Sequence, residues 1–138
     1  MKLKPPTANE ITAELLLRVE RELPYVWLYR NNRVNAKAIG KGGRLRHVSA
    51  GIDGQGDLSG LIAPTGRRLE VEVKAEYSKG RDRQSPVQEA FQNRIESMGG
   101  VYLLVERIGW ANGKPDVSAV IEILKGVAQA LAICSLCD

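Results

Sequence analysis

A chain of 138 residues suggests one domain with a real core. Its composition, 43% hydrophobic and 26% charged, is that of an ordinary globular protein, and no apolar run approaches the ~18 residues of a membrane span. The net charge of +4 is uneven: Arg30, Arg33, Lys37, Lys41, Arg44 and Arg46 fall between Arg30 and Val48 with no acid among them, which leaves 14 basic against 16 acidic residues elsewhere.

The opening MKLKPPTANE lacks the apolar core of a signal peptide, so a cytoplasmic protein without a membrane partner is expected. Residues 8–23 read as a helix, with Ile11, Leu15, Val19 and Leu23 at spacing four beside Leu16, and Pro24 ends it. Tyr25–Arg30 is rich in aromatic and branched residues and reads as a strand. The basic stretch that follows contains Gly40, Gly42 and Gly43 and reads as a loop suited to phosphate backbones, or equally as a solvated loop. Leu45–Ala50 is a short strand candidate, and GIDGQG is turn chemistry.

Asp57–Ile62 and Leu69–Ala75 read as a hairpin with its turn at Pro64–Gly66. Lys79–Gln84 reads as a charged loop. The helix Ser85–Met98 has a marked start, with Ser85 as N-cap, Pro86 at the first position and Gln88 at the third. Gly99-Gly100 stops it, and Val87, Ala90, Phe91, Ile95 and Met98 are its expected buried stripe. Val101–Glu106 is an apolar strand, and Asp116 is placed to cap a last helix from Val117 to about Ile133. Two strands separated by a helix imply a right-handed βαβ crossover with parallel pairing. The whole is expected to be one α/β domain over residues 1–138, a small mixed sheet flanked by helices.

The stretch Leu69–Tyr77 carries the chemistry. Leu69, Val71, Val73 and Ala75 alternate with Glu70, Glu72, Lys74 and Glu76, which gives one apolar face and one charged face. A turn centred between Pro64 and Thr65 sets Asp57 opposite Glu72 and Leu58 opposite Val71. Asp57, Glu72 and Lys74 then share a face, and a one-residue slip would destroy the agreement. Two neighbouring carboxylates call for a cation between them, and Mg²⁺ is often held by only one or two. Lys74, about 6–7 Å along the strand from Glu72, suits an ammonium that orients or deprotonates a water. The plainer alternative is a solvated strand face, which Glu70 and Glu76 keep in either case.

Asp57 followed by Glu72-Val73-Lys74 resembles the D…(D/E)xK pattern of the PD-(D/E)XK nuclease superfamily. The fuller text YRNN, GIDGQGDLSGLI, GRRLEVEVK, RDRQSPVQEAF and GGVYLLV is similar to its VRR-NUC branch, over roughly residues 10–106. The resemblance implies a restriction-endonuclease-like core and a Mg²⁺-dependent deoxyribonuclease, with Mn²⁺ able to substitute. It implies that Asp57, Glu72 and the Val73 carbonyl ligate the metal, that Lys74 is the catalytic lysine, and that Gln88 positions water, lysine or phosphate. As the third residue of its helix, Gln88 has the alternative of completing a capping box with Ser85. The family places a glutamate of the first helix near the metal; Glu14 is the choice and Glu10 its rival. One departure is Gly56, where the family has proline before the aspartate. Asp53 ranks behind Asp57, and Pro115-Asp116 lies after the ExK strand, in the wrong order.

The implied substrate is branched or otherwise structured DNA, in replication, repair or recombination in a bacterial or phage-infected cell. A homodimer is expected, with Val117, Val120, Ile121, Leu124 and Val127 either its interface or plain core. Arg30, Arg33, Lys37, Lys41, Arg44, Arg46, Arg81 and Arg83 are the candidates to bind nucleic acid. Trp27, Tyr29 and Tyr77 are candidates to stack on bases, although strand aromatics more often pack in a core. His47 touches phosphate or packs locally. Cys134 and Cys137 form a lone CxxC, too few ligands for a zinc site. The rival readings are a DNA-binding module of nuclease fold that does not cut, and a restriction-type enzyme that reads a duplex sequence.

Overall fold

The computed structural model describes residues 3–31, 34–77, 80–81 and 83–135, with the backbone alone at 34–37, 47–50, 77, 80–81 and 131–135. The elements are α1 (Ala8–Glu22), β1 (Val26–Arg30), β2 (Val34–Ile39), β3 (Leu45–Ala50), β4 (Leu58–Ile62), β5 (Arg67–Val73), β6 (Glu76–Tyr77), β7 (Gly80–Arg81), α2 (Pro86–Ser97), β8 (Val101–Val105), β9 (Trp110–Ala111), β10 (Lys114–Pro115) and α3 (Ser118–Ser135). The central sheet has the order β1-β4-β5-β8. β1 and β5 flank β4 antiparallel, and β8 joins β5 in parallel after the α2 crossover, as the element order implies.

One sheet face is the core. Leu58 and Ile62 of β4 and Leu69, Val71 and Val73 of β5 pack with Ile11, Leu15 and Val19 of α1 and with Val117, Val120, Ile121 and Leu124 around the start of α3. The apolar stripe of α3 is therefore spent within one copy of the chain and is not free to serve as a dimer interface, with Val127 packed partly buried against the same cluster.

The hairpin register is the expected one, with Leu58 opposite Val71, so even-numbered residues of β5 occupy the other face. Three rungs cross that face. Trp27, Leu61 and Arg68 form the first; Tyr29, Ser59, Glu70 and Tyr102 form the second. Glu72 opposite Leu104 belongs to the third, with Asp57 just before the start of β4.

The expected burial of α2 fails. Val87 is 53% and Met98 75% exposed, Ala90 is exposed, Phe91 and Ile95 are only partly covered, and no residue of this helix is buried. The reason lies in the sheet. α1 and α3 already fill the apolar face, so α2 lies over the polar one and meets it through Gln88, whose amide bonds Glu72 and Lys74.

Leu45–Ala50 is a strand as expected, but three pairings were not expected, the first being β6 with β7 where the charged stretch from Lys79 reads as a loop. The basic stretch is a hairpin, β2 pairing β3 across a turn in which Gly42 and Gly43 take positive φ, so only its tip is a loop. β9 and β10 form a second small hairpin around Asn112-Gly113, both at positive φ, the residue pair that a tight hairpin turn favours.

Candidate active site

Asp57, Glu72 and Gln88 line one cleft of about 360 Å³ together with Ala8, Asn9, Thr12, Arg30, Asn31, Gln55 and Gly56. Asp57 is exposed, and its Oδ2 accepts the Val73 backbone N–H at 2.8 Å. The carboxylate thus caps the end of β5 just where β4 has not yet begun. Its backbone is held too, since the Asp57 carbonyl accepts the Asn31 N–H at 2.9 Å.

The glycines of GIDGQG place this aspartate. A side chain at Gly56 would put its Cβ 2.6 Å from the Val71 carbonyl oxygen, and one at Gly54 would collide with the Val87 carbonyl of α2. The loop is wedged between β5 and α2 and admits no side chain at either glycine.

Glu72 and Lys74 are both buried, at 4% and 5% exposure, and their Oε1 and Nζ are 2.9 Å apart. Gln88 joins them: its Nε2 donates to Glu72 Oε1 at 2.5 Å, and its Oε1 accepts from Lys74 Nζ at 2.9 Å. The same Oε1 accepts the Ser85 backbone N–H at 2.9 Å, while Ser85 Oγ accepts the Gln88 N–H at 3.2 Å. The two readings of Gln88 are therefore one arrangement. The capping box fixes the amide, and the fixed amide orients an otherwise mobile lysine against its carboxylate.

Glu70 departs from the solvated reading. It is fully buried, and its Oε1 accepts from Ser59 Oγ at 2.7 Å and from Arg68 at 2.8 Å, while its Oε2 has no hydrogen-bond partner among the described residues. Ser59 Oγ in turn accepts from Asn31 Nδ2 at 2.6 Å, and Asn31 Nδ2 also donates to the Gly56 carbonyl at 2.9 Å. Glu70 thus anchors a chain of bonds that ends on the loop presenting Asp57. Alternation alone could not separate it from Glu76, which is exposed as expected. The facing Ser59, Asn31 and Arg68 make the difference.

The carboxylates make a common field. The Tyr102 hydroxyl is pushed up to about 12, first by burial and then by the charges of Glu72, Glu70 and Asp57, against a lowering hydrogen bond from Gln84.

Glu14 and Glu10 do not line the cleft. The α1 residues that do are Ala8, Asn9 and Thr12, and Glu14 lies two positions beyond Thr12, about 200° around the helix, with its charge acting on Arg18. Glu10 is taken by Thr7, whose N–H and hydroxyl both bond its Oε2 in a capping box. Asp53 lines a separate apolar groove with α2 residues. Asn9, Thr12 and Asn31 are cleft residues that the sequence reading did not single out; Asn31 was signalled by YRNN, and Thr12 only by its place one turn past Ala8.

Of the candidate basic residues, Arg30 lines the cleft, its Nη1 3.5 Å from Asn9 Oδ1. Lys41, Arg44 and Arg46 are exposed at the tip of the β2–β3 hairpin, and Arg83 is exposed just before α2. Arg33 and Cys137 lie outside the described residues, as do the side chains of Lys37, His47, Tyr77, Arg81 and Cys134.

A metal is tested here by the donor set. Among the described residues no group of three or more His, Cys, Asp or Glu side chains is placed to hold one. The cleft does present two carboxylates, Asp57 and Glu72. The Val73 N–H points at Asp57, and a strand residue's C=O projects to the same edge as its N–H, so the Val73 carbonyl faces that side as well. These are hard oxygen donors in the number Mg²⁺ accepts from protein, with water or phosphate completing the shell. By donor type alone the set suits a hard ion such as Mg²⁺ better than zinc.

Comparison with protein-family models, curated proteins and solved structures finds no match to this chain. No helix among the described residues is long and apolar enough to cross a membrane.

Proposed function

We propose that this chain is a metal-dependent DNA endonuclease of the PD-(D/E)XK kind, resembling VRR-NUC proteins. The observation that carries the reading is the union of Asp57, Glu72 and Gln88 in one cleft, with Lys74 bonded to both Glu72 and Gln88. Asp57, Glu72 and the Val73 carbonyl would hold Mg²⁺ or Mn²⁺, which when bound supplies Lewis acidity and lowers the pKa of water.

The chain's own groups do the rest. Lys74, held by Glu72 and Gln88, presents an ammonium that orients the attacking water or steadies charge on the phosphate. Glu72 and Gln88 hold Lys74 in place. Arg30 at the cleft mouth is positioned to receive a phosphate, and the exposed Lys41, Arg44, Arg46 and Arg83 add charge for the strand that carries it. The reaction is hydrolysis of a phosphodiester by in-line attack of water.

Branched or structured DNA is the proposed substrate, in replication, repair or recombination. A chain this small has little surface for a branched duplex, which favours two copies around a junction with two equivalent strands. A cleavage panel of single strand, duplex, flap, fork and four-way junction with Mg²⁺ or Mn²⁺ tests the reading. Cutting that disappears in Lys74→Ala while DNA binding persists supports it. Binding with no cutting of any substrate makes the chain a binding module instead, and discrete fragments from linear duplex make it a restriction-type enzyme.

A further inference from the structure

The polar face of the sheet is covered by α2 at one end; on β1 and β4, where Ser59 is buried, it is left open at Trp27, Tyr29 and Leu61. On the open part Trp27 stands 64% exposed, with Tyr29 beside it at 36% and Leu61 at 38%. The two rings lie with centroids 5.1 Å apart at 47°. Strand aromatics ordinarily pack in a core, and these do not, although the core is one residue away at Val26. A tryptophan held out on an edge strand is costly unless something covers it.

The rungs locate it relative to the cleft. Trp27 and Leu61 share a rung with Arg68, whose side chain is 41% exposed; Tyr29 is on the Ser59–Glu70 rung; Asn31, next along the strand, lines the cleft with Asp57 and Glu72. From Trp27 to Asn31 is four residues, about 13 Å along an extended strand. At ~3.4 Å per stacked nucleotide that is about four steps, and fewer for an extended single strand. Arg30 stands at the cleft end, and Arg68, bonded to Glu70, lies on the Trp27 rung beyond Leu61.

Resting on the nuclease reading, we propose that Trp27 and Tyr29 are a stacking platform for unpaired bases of the DNA strand whose phosphate enters the Asp57–Glu72 cleft. Rings accept every base through its π-face without reading sequence, and they need that base out of its duplex stack. Base-paired DNA keeps its bases stacked on one another and offers none to the platform. The preferred substrate class is therefore DNA with a single-stranded arm or an opened junction, rather than continuous duplex.

The test is binding without cutting. Full-length protein carrying Trp110→Phe keeps Trp27 as its only tryptophan. It is titrated with a twelve-residue oligothymidylate in EDTA, with tryptophan emission and strand anisotropy read together. Saturable quenching of Trp27 is expected, with affinity falling roughly 5- to 150-fold in Trp27→Ala and in Tyr29→Ala. Trp27→Phe, which keeps an aromatic face, should restore most of the loss, and equal melting temperatures exclude a folding effect. Unchanged emission during binding, no binding at all, or an affinity within twofold in Trp27→Ala overturns the proposal. So does a loss of dimer in Trp27→Ala with strand affinity intact, which would make the patch a protein interface. Because no cleavage is read, the two readings fail separately: a protein that quenches and never cuts refutes the nuclease, and one that cuts without quenching refutes the platform.

Discussion

Replacing Gln88 with alanine removes two things that Ser85→Ala separates. Ser85→Ala takes away the N-cap side chain, a loss of about 1 kcal/mol. Gln88→Ala takes away its share of the same cap and also the bonds to Glu72 and Lys74, a buried charged pair whose hydrogen bonds are worth about 1.5–3 kcal/mol. The expected losses are about 1 kcal/mol for Ser85→Ala and about 2.5–4 kcal/mol for Gln88→Ala. For a chain of this size each kcal/mol moves the melting temperature by roughly 3–5 °C. Urea unfolding gives the energies, and single-turnover cleavage of a flap or junction gives the functional effect. Ser85→Ala should lower the cleavage rate far less than Gln88→Ala, since the glutamine amide still reaches both partners. Equal loss of stability and of rate in the two variants would mean that Gln88 acts through the helix cap alone, and the coupling of cap and site would be wrong.

Other consequences follow from the packing around the site. Gly56→Ala drives a Cβ into the Val71 carbonyl, so a loss of about 1–3 kcal/mol is expected, with weakened Mg²⁺ binding as Asp57 shifts; calorimetric titration of the metal reads the second effect. Glu70→Gln removes the charge from the Ser59–Arg68 contacts and should cost about 1–3 kcal/mol in urea unfolding, whereas Glu76→Gln at an exposed position should change stability by less than about 0.5 kcal/mol. Tyr102 binds its proton more tightly folded than unfolded, so stability falls as pH rises from 10 to about 12, and this slope should flatten in Tyr102→Phe, measured by unfolding across that range.

The site's register was legible because two independent patterns agreed on it. The alternation of Leu58 and Ile62 and that of Leu69, Val71 and Val73 exclude a one-residue slip, and the turn at Pro64–Gly66 selects the pairing that brings Asp57 to Glu72. The start of α2 was legible for a similar reason, since Ser85, Pro86 and Gln88 are all local signals. What failed was tertiary. The apolar residues of α2 look like a buried stripe, but nothing within the helix says that α1 and α3 take the apolar side of the sheet first. Glu70 and Glu76 look alike along the strand and differ only in what stands across from them. Glu14 was chosen for its closeness to an apolar stripe, and the 100° turn per residue carries it past the cleft that Ala8, Asn9 and Thr12 reach. The β2–β3 hairpin was hidden by its charge and glycines, and the β6–β7 and β9–β10 pairings by the brevity of their strands.

The central claim is that Asp57, Glu72 and Lys74 form one hydrolytic centre. Single-turnover cleavage of a labelled branched DNA at saturating Mg²⁺ or Mn²⁺ tests it most directly, with binding to the same DNA measured in EDTA. The wild-type chain should cut, with cutting abolished by EDTA and reduced at least about 100-fold in Lys74→Ala, and with affinity for the DNA within a few-fold. Folded wild-type protein that binds the DNA and leaves it intact with either metal, or Lys74→Ala that cuts as fast as wild type, would contradict it.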